Sequence, residues 1–301
     1  MIACDAVAGV DLGTTMSKAL LRTADGERLA LVETRTPWTT TPDGGTELDA
    51  ERFVELTVEL LRRAYLAFGD FDADGRTDVV GRNAGYLMVS WGGASQWEVL
   101  NFPQAVGINP PVSSLAVGNF DGVGGDDLFC ADGATWYVSY GGSAVFVPSQ
   151  TSSFRTEALR FGDFDANGTT DVFGVVSDQW SVSDGAIGSW RPLRSRLTDT
   201  VDGLYVADFD GDGHVDVATT CERGCWKISN HGTEAWNVVQ HQYGLNDVTV
   251  AGIGHFLGHS SDDVVMFNYQ KRIDPDVSTR VLFIAEAGVG PFRRLSRQEM
   301  T

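Results

Sequence analysis

One acidic block occurs five times along this chain, and its period limits what the chain can fold into. The copies read FGDFDADGRTDVV (68–80), VGNFDGVGGDDLF (117–129), FGDFDANGTTDVF (161–173), VADFDGDGHVDVA (206–218) and a worn IGHFLGHSSDDVV (253–265). The small residue ahead of each block is Gly69, Gly118, Gly162, Ala207 or Gly254, at successive gaps of 49, 44, 45 and 47 residues. That period fits a four-stranded propeller blade. The rest of the unit repeats as well. Trp136 and Trp180 stand nine residues after Asp127 and Asp171, Leu87 fills that place after Asp78, and Trp226 falls ten after Asp216. A second aromatic follows: Trp97, Phe146 and Trp190 lie 19 residues beyond their aspartates, and Trp236 lies 20 beyond. Between the aromatics sit VSWGG, VSYGG, VSDG and ISNHG. Each unit therefore reads as strand, acidic loop, strand, short turn, aromatic strand, Gly-rich turn, aromatic strand. The expected units are 65–113, 114–157, 158–202, 203–249 and 250–301. The tryptophans are expected in blade-to-blade packing, with sugar stacking as the other use of such rings.

The loop chemistry points to a cation. Counted from Asp70, carboxylates fall at positions 1, 3, 5 and 9, with Gly75 at position 6. Left bare, four like charges this close repel one another. Ca2+ takes six to eight oxygens in flexible geometry, whereas Mg2+ demands a stricter octahedron. Glycine at position 6 permits the sharp bend. The position-7 carbonyl adds a ligand, and the last aspartate closes the cage. The expected ligands are Asp70, Asp72, Asp74, Arg76 and Asp78 in the first loop. They are Asp163, Asp165, Asn167, Thr169 and Asp171 in the third, and Asp208, Asp210, Asp212, His214 and Asp216 in the fourth. The second loop keeps Asn119, Asp121 and Asp127 but has Val123 at a ligand position, so weak or no binding is expected there. The fifth has His255, Leu257 and His259 and keeps only Asp263, so none is expected. About three calcium sites follow from this ligand count.

The loop is not an EF-hand, because position 12 is Gly81 and a β-branched run follows in place of a helix. It resembles the FG-GAP or VCBS repeats of integrin α-subunits and of many bacterial propeller proteins. The resemblance covers 65–301. It implies a DxDxDGxxD loop between the first two strands of each blade, bound calcium, and a role in adhesion or recognition of a protein or glycan. Proteins of that kind are usually secreted.

Composition agrees with a turn-rich β protein: 35 glycines in 301 residues, 43% hydrophobic and 21% charged. The formal net charge of -19 argues against a nucleic-acid partner and for cations or basic partners. No apolar run is long enough to span a bilayer. The start lacks a basic n-region and a continuous apolar segment, so no signal peptide is expected. The compartment is therefore open between extracellular, by resemblance, and cytoplasmic. Cys4 and Cys130 read as free thiols. Cys221 and Cys225 flank a hairpin turn and read equally as a cross-turn disulfide or as free thiols.

The first 64 residues stand outside the repeat. GVDLGTTMSKALL (9–21) resembles the phosphate-binding hairpin of xylulokinase-like carbohydrate kinases, with Asp11, Gly13, Thr14, Thr15 and Lys18 on the motif. The resemblance implies approach of backbone N–H groups and hydroxyls to phosphate, with Asp11 acting through Mg2+. A third strand and a helix over 49–64 are expected to follow. A catalytic base, a second phosphate loop and an adenosine site would have to come from residues that the repeats already occupy. The segment therefore reads as a truncated, fused or misjoined kinase fragment whose phosphate loop is vestigial.

The fold expected is mainly β: a propeller of about five four-stranded blades behind a small α/β segment (1–64). The function expected is a non-enzymatic calcium-binding scaffold that recognises a protein or glycan. An ATP-dependent carbohydrate kinase, or a propeller lyase or hydrolase, are the alternatives. No catalytic residue is assigned.

Overall fold

The computed structural model describes residues 66–83, 86–101, 108, 110–221, 225–241, 248–271, 278–290 and 293–299, together with five strands within 6–48. Two compact units divide the chain, Met1–Thr156 and Glu157–Thr301. The fold is a β-propeller of five four-stranded antiparallel blades, each in simple up-and-down order.

In the first unit, β1 (Ala6–Leu12), β2 (Met16–Thr23) and β3 (Arg28–Arg35) form a three-stranded meander. A small hairpin follows, β4 (Trp38–Thr40) and β5 (Thr46–Leu48), which the sequence did not suggest. Blade one is β6 (Ala67–Gly69), β7 (Asp78–Asn83), β8 (Tyr86–Ser90) and β9 (Glu98–Asn101). Blade two is β10 (Ala116–Gly118), β11 (Asp127–Ala131), β12 (Thr135–Ser139) and β13 (Val147–Thr151). The helix expected over 49–64 lies outside the described residues.

The second unit holds the other three blades. Blade three is β14 (Arg160–Gly162), β15 (Asp171–Val176), β16 (Gln179–Ser183) and β17 (Arg191–Ser195). Blade four is β18 (Leu204–Ala207), β19 (Asp216–Cys221), β20 (Cys225–Ser229) and β21 (Asn237–His241). Blade five is β22 (Val248–Gly254), β23 (Asp263–Lys271), β24 (Ser278–Ala285) and β25 (Arg293–Glu299).

Register is the same in every blade at the acidic loop. Gly69, Gly118, Gly162, Ala207 and Gly254 pair with Asp78, Asp127, Asp171, Asp216 and Asp263. The third and fourth strands also share a feature: the register slips after Leu87, Trp136, Trp180, Trp226 and Leu282. A bulge at one fixed place per blade sharpens the local twist.

The cores lie between neighbouring blades. One gathers Val80 and Val89 of blade one with Leu128, Cys130 and Phe146 of blade two. Another joins Phe173 and Trp180 of blade three to Leu204 and Val217 of blade four, and a third joins Phe209 and Trp226 to Val264 and Met266 of blade five. Trp136, Trp180 and Trp226 are completely buried. Their packing is partly within the blade. Trp136 meets Phe129 and Trp180 meets Phe173 edge-on in their own sheets, while Trp180 also meets Trp236 of the next blade at 5.4 Å. Cys130 is a buried free thiol whose pKa burial pushes up to about 12. Strand register sets Cys221 opposite Cys225, whose side chains lie outside the described residues.

Candidate metal-binding loops

The position-9 aspartate is the fixed point of each loop. Asp78, Asp127, Asp171, Asp216 and Asp263 are all fully buried at the head of their strands. In the first four blades Oδ2 accepts the N–H of the position-2 phenylalanine: Phe71 (2.9 Å), Phe120 (2.7 Å), Phe164 (3.0 Å) and Phe209 (3.0 Å). Oδ1 accepts an N–H from the turn between the third and fourth strands. The donors are Gly92, Gly141, Gly185, His231 and, in blade five, Ala287. One carboxylate thus ties the acidic loop to the neighbouring turn of its own blade. Burial pushes the Asp171 and Asp216 carboxyls up to about 6 and raises that of Asp127, against the opposing pull of these N–H donors.

Around that anchor the half-buried position-1 carboxylates and the exposed ones after them accept N–H groups of their own loop. In loop one, Asp70 accepts from the N–H groups of Asp74 (3.0 Å) and Gly75 (2.9 Å), and Asp74 accepts from Arg76 N–H (2.8 Å). Loop three repeats this with Asp163, Asn167, Gly168 and Thr169. Loop four keeps the bonds from Gly213 N–H to Asp208 and from His214 N–H to Asp212, but there Gly211 N–H donates to Asp208 and Asp212 N–H donates to Asp210. Gly75, Gly168 and Gly213 take φ of +83°, +84° and +92°, the left-handed bend that the ring of donors requires.

These turns bring acids together where the sequence placed the ligands. Asp70, Asp72 and Asp78 offer oxygens within 4.8 Å of one another, as do Asp163, Asp165 and Asp171, and Asp208, Asp210 and Asp216. Three carboxylates converging on one point fit a hard cation such as Ca2+ by donor chemistry. Asp74 falls outside the convergent set and lies 3.9 Å from its neighbour Arg76. Asp212 groups instead with Asp210 and His231. Among the described residues, no group of three His, Cys, Asp or Glu forms in loop two or loop five. In loop two, Asn119 and Asp121 accept from Gly122 and Val123 N–H groups, and Val123 is exposed. In loop five the clip moves one residue, so Leu257 N–H bonds Asp263 and Phe256 turns out to solvent. His255 faces Asp262, and His259 faces Glu286.

Neighbouring loops are stitched together. The carbonyl of Asp70 accepts Asp126 N–H (2.7 Å), that of Asp163 accepts Val215 N–H (2.9 Å), and that of Asp208 accepts Asp262 N–H (2.7 Å). Asp126 and Asp262 reciprocate through their carboxylates to the N–H groups of Asp70 and Asp208. Burial raises the pKa of both. Sequence reasoning gave position 8 no role, although the doubled aspartates at 126–127 and 262–263 were its signal. His231 was also missed. Burial works to lower its pKa, but the bond to Asp212 at 2.7 Å and the surrounding carboxylates raise it.

In the head, β1 and β2 pair as a hairpin with Asp11 opposite Lys18, while Gly13, Thr14 and Thr15 lie outside the described residues. No helix among the described residues is long and apolar enough to cross a membrane.

No family model and no curated protein matches the chain. Similar solved structures include an Agrocybe aegerita lectin recognising non-reducing terminal N-acetylglucosamine, at 13% identity and TM-score 0.48, covering 98% of this chain and 93% of the lectin. The GH74 enzyme of Niastella koreensis shares 13% identity at TM-score 0.48, with 97% of this chain covered but 38% of the enzyme. An exotype rhamnogalacturonan lyase shares 11% identity at TM-score 0.39, with 96% and 60% covered. This chain therefore spans less than two thirds of either enzyme.

Proposed function

We propose that this chain is a non-catalytic, calcium-binding propeller that recognises a protein or glycan through its blade-connecting loops. The observation that carries the calcium reading is the convergence of three carboxylates in each of loops one, three and four. Each site would hold a cation between an exposed turn and a buried aspartate that already braces two segments of the blade. The cation would neutralise crowded charge and fix the loop, so its role would be structural. Asp70, Asp72 and Asp78 would hold it in loop one, Asp163, Asp165 and Asp171 in loop three, and Asp208, Asp210 and Asp216 in loop four. The carbonyls of Arg76, Thr169 and His214 would complete the shell. The recognition reading rests on the rigid presentation of loops by packed sheets. Millimolar calcium outside the cell would keep such sites filled, and we place the protein there on the same reading. Calorimetry on chelator-stripped protein tests the first part: about three Ca2+ sites are expected, and no binding would overturn it. Glycan-array and surface-capture binding in calcium and in chelator test the second. Substrate-dependent ADP release abolished by Asp11→Ala would replace the reading with a kinase.

A further inference from the structure

Loop four differs from its sisters by one side chain that the repeat does not supply. The turn residue that donates its N–H to the position-9 aspartate is Gly92, Gly141 or Gly185 in blades one to three and Ala287 in blade five. In blade four it is His231, which makes the same bond to Asp216 at 2.8 Å. His231 holds the same left-handed backbone, φ +52°. An imidazole therefore projects over the loop at a place where the other blades offer a hydrogen or a methyl. Its Nε2 lies 2.7 Å from Asp212 Oδ2, and Asp210, Asp212 and His231 each bring one ligand atom within 4.8 Å of the others. The His214 ring backs it at 4.8 Å between centroids, with its own Nδ1 against the Phe164 carbonyl. Asn230 Nδ2 donates to Asp210 Oδ2 from the same turn.

We propose that loop four binds a divalent d-block cation of the zinc, cobalt or copper class through His231 Nε2 and the Asp210 and Asp212 carboxylates. Calcium takes oxygen ligands, whereas imidazole suits the borderline metals. The convergent groups of loops one and three are all carboxylate, so among the described residues only loop four sets a ring nitrogen within such a group. The nitrogen carries the proposal, since the acids alone would be one more calcium loop. Asp210 belongs to both the all-oxygen set and the mixed set, so the two cations compete there. The inference shares a loop with the calcium reading but does not depend on it, because the nitrogen-bearing set stands whether or not loops one and three take Ca2+.

The test uses the tag-free full chain after chelator treatment. Co2+ is titrated with visible absorption as the readout, Cu2+ is followed by electron paramagnetic resonance, and Ca2+ by calorimetry, in wild type, His231→Gly and His231→Gln. Glycine is the residue of three sister turns and suits the backbone, so that variant keeps the blade; the glutamine variant keeps side-chain bulk. The wild type is expected to bind one Co2+ in loop four and to show nitrogen coupling to Cu2+. Both variants should weaken Co2+ by at least the roughly tenfold to hundredfold that loss of an outer supporting partner costs, with Ca2+ binding at loops one and three unchanged. Equal Co2+ affinity in the three proteins, or no nitrogen coupling in wild type, overturns the proposal. Retained Co2+ binding without any Ca2+ binding would instead overturn the calcium reading and leave this one standing.

Discussion

Asp263 separates two jobs that its counterparts combine. It is fully buried, it accepts N–H bonds from Leu257 and Ala287, and its loop has His255, Leu257 and His259 in place of the acids at positions 1, 3 and 5. A residue kept where the ligands are gone is kept for the clip. Asp263→Ala should therefore destabilise by about 3 kcal/mol, from two bonds to a charged acceptor, equally in calcium and in chelator by urea titration. A larger loss in calcium would mean that loop five binds metal after all. Asp72 is the opposite case: exposed, within a convergent acid group and not a clip. Asp72→Ala should shift stability by less than about 0.5 kcal/mol in chelator. In calcium it should forfeit up to roughly 2.7 kcal/mol at a hundredfold excess over the dissociation constant. Titration follows from the same burial. Asp171 is pushed from 3.8 to about 6, with Asp165 and Asp184 as its charged neighbours. A raised carboxyl pKa means that the folded state holds the proton more firmly than the unfolded one. In metal-free protein its contribution is full below pH 3.8 and is lost as pH rises to about 6. The stability gap between wild type and the non-titrating Asp171→Asn should narrow over that window in chelator and widen in calcium, where the ionised form is bound. Parallel pH profiles in the two conditions would refute the assignment.

The blade is where the sequence was most legible, and where its silence is most instructive. Four strands per unit, the acidic loop between the first two, and the Gly-rich turn between the last two follow from period and turn chemistry, and the structure shows each of them. Spacing put carboxylate or amide ligands at positions 1, 3, 5 and 9, and the structure gathers the acids at 1, 3 and 9 while position 5 falls outside the group. What spacing could not give was the partner of each side chain in the next blade. Phe71, Phe164 and Phe209 stand at position 2 of their loops, between ligand positions. Each lies against the second small residue of the following blade's turn: Gly142, Gly232 and Gly288. A Cβ on Gly142 would stand 2.8 Å from Phe71 Cδ1, and one on Gly288 would stand 2.5 Å from Phe209 Cδ1. The small residue ahead of loops one and three has the same origin, since a Cβ on Gly69 would meet Val117 of the next blade at 2.5 Å and one on Gly162 would meet Val215 of the next blade at 3.0 Å. Such contacts join residues far apart in the chain, and no local pattern encodes them. Gly288→Ala should therefore cost about 3 kcal/mol, combining overpacking with a left-handed backbone. Gly75→Ala, at φ +83° with nothing within 4 Å, should cost about 1 kcal/mol. Comparable losses at the two sites, read by thermal unfolding in chelator, would show that the Phe209–Gly288 contact does not position the blades.

At the scale of the molecule, charge and metal act on the same quantity. The chain carries a formal net charge of -19, and much of it is concentrated in the acidic loops. Loops one and two share the Asp70–Asp126 stitch, and loops four and five share the Asp208–Asp262 stitch, so acids of adjacent blades lie side by side. Self-repulsion of this kind opposes the compact state and is screened by salt over about 8–10 Å at moderate ionic strength. Three bound divalent cations would cancel about six of those charges at the points of closest approach. The melting temperature in chelator should therefore climb as sodium chloride rises from low to physiological concentration. In saturating calcium the same series should be nearly flat, because the repulsion that salt would screen has been neutralised locally. Magnesium should fall short of calcium in this assay, since an irregular ring of carboxylates suits its octahedral demand poorly. A salt response of equal slope with and without calcium would mean that the repulsion lies elsewhere on the surface and that the loops are solvated turns.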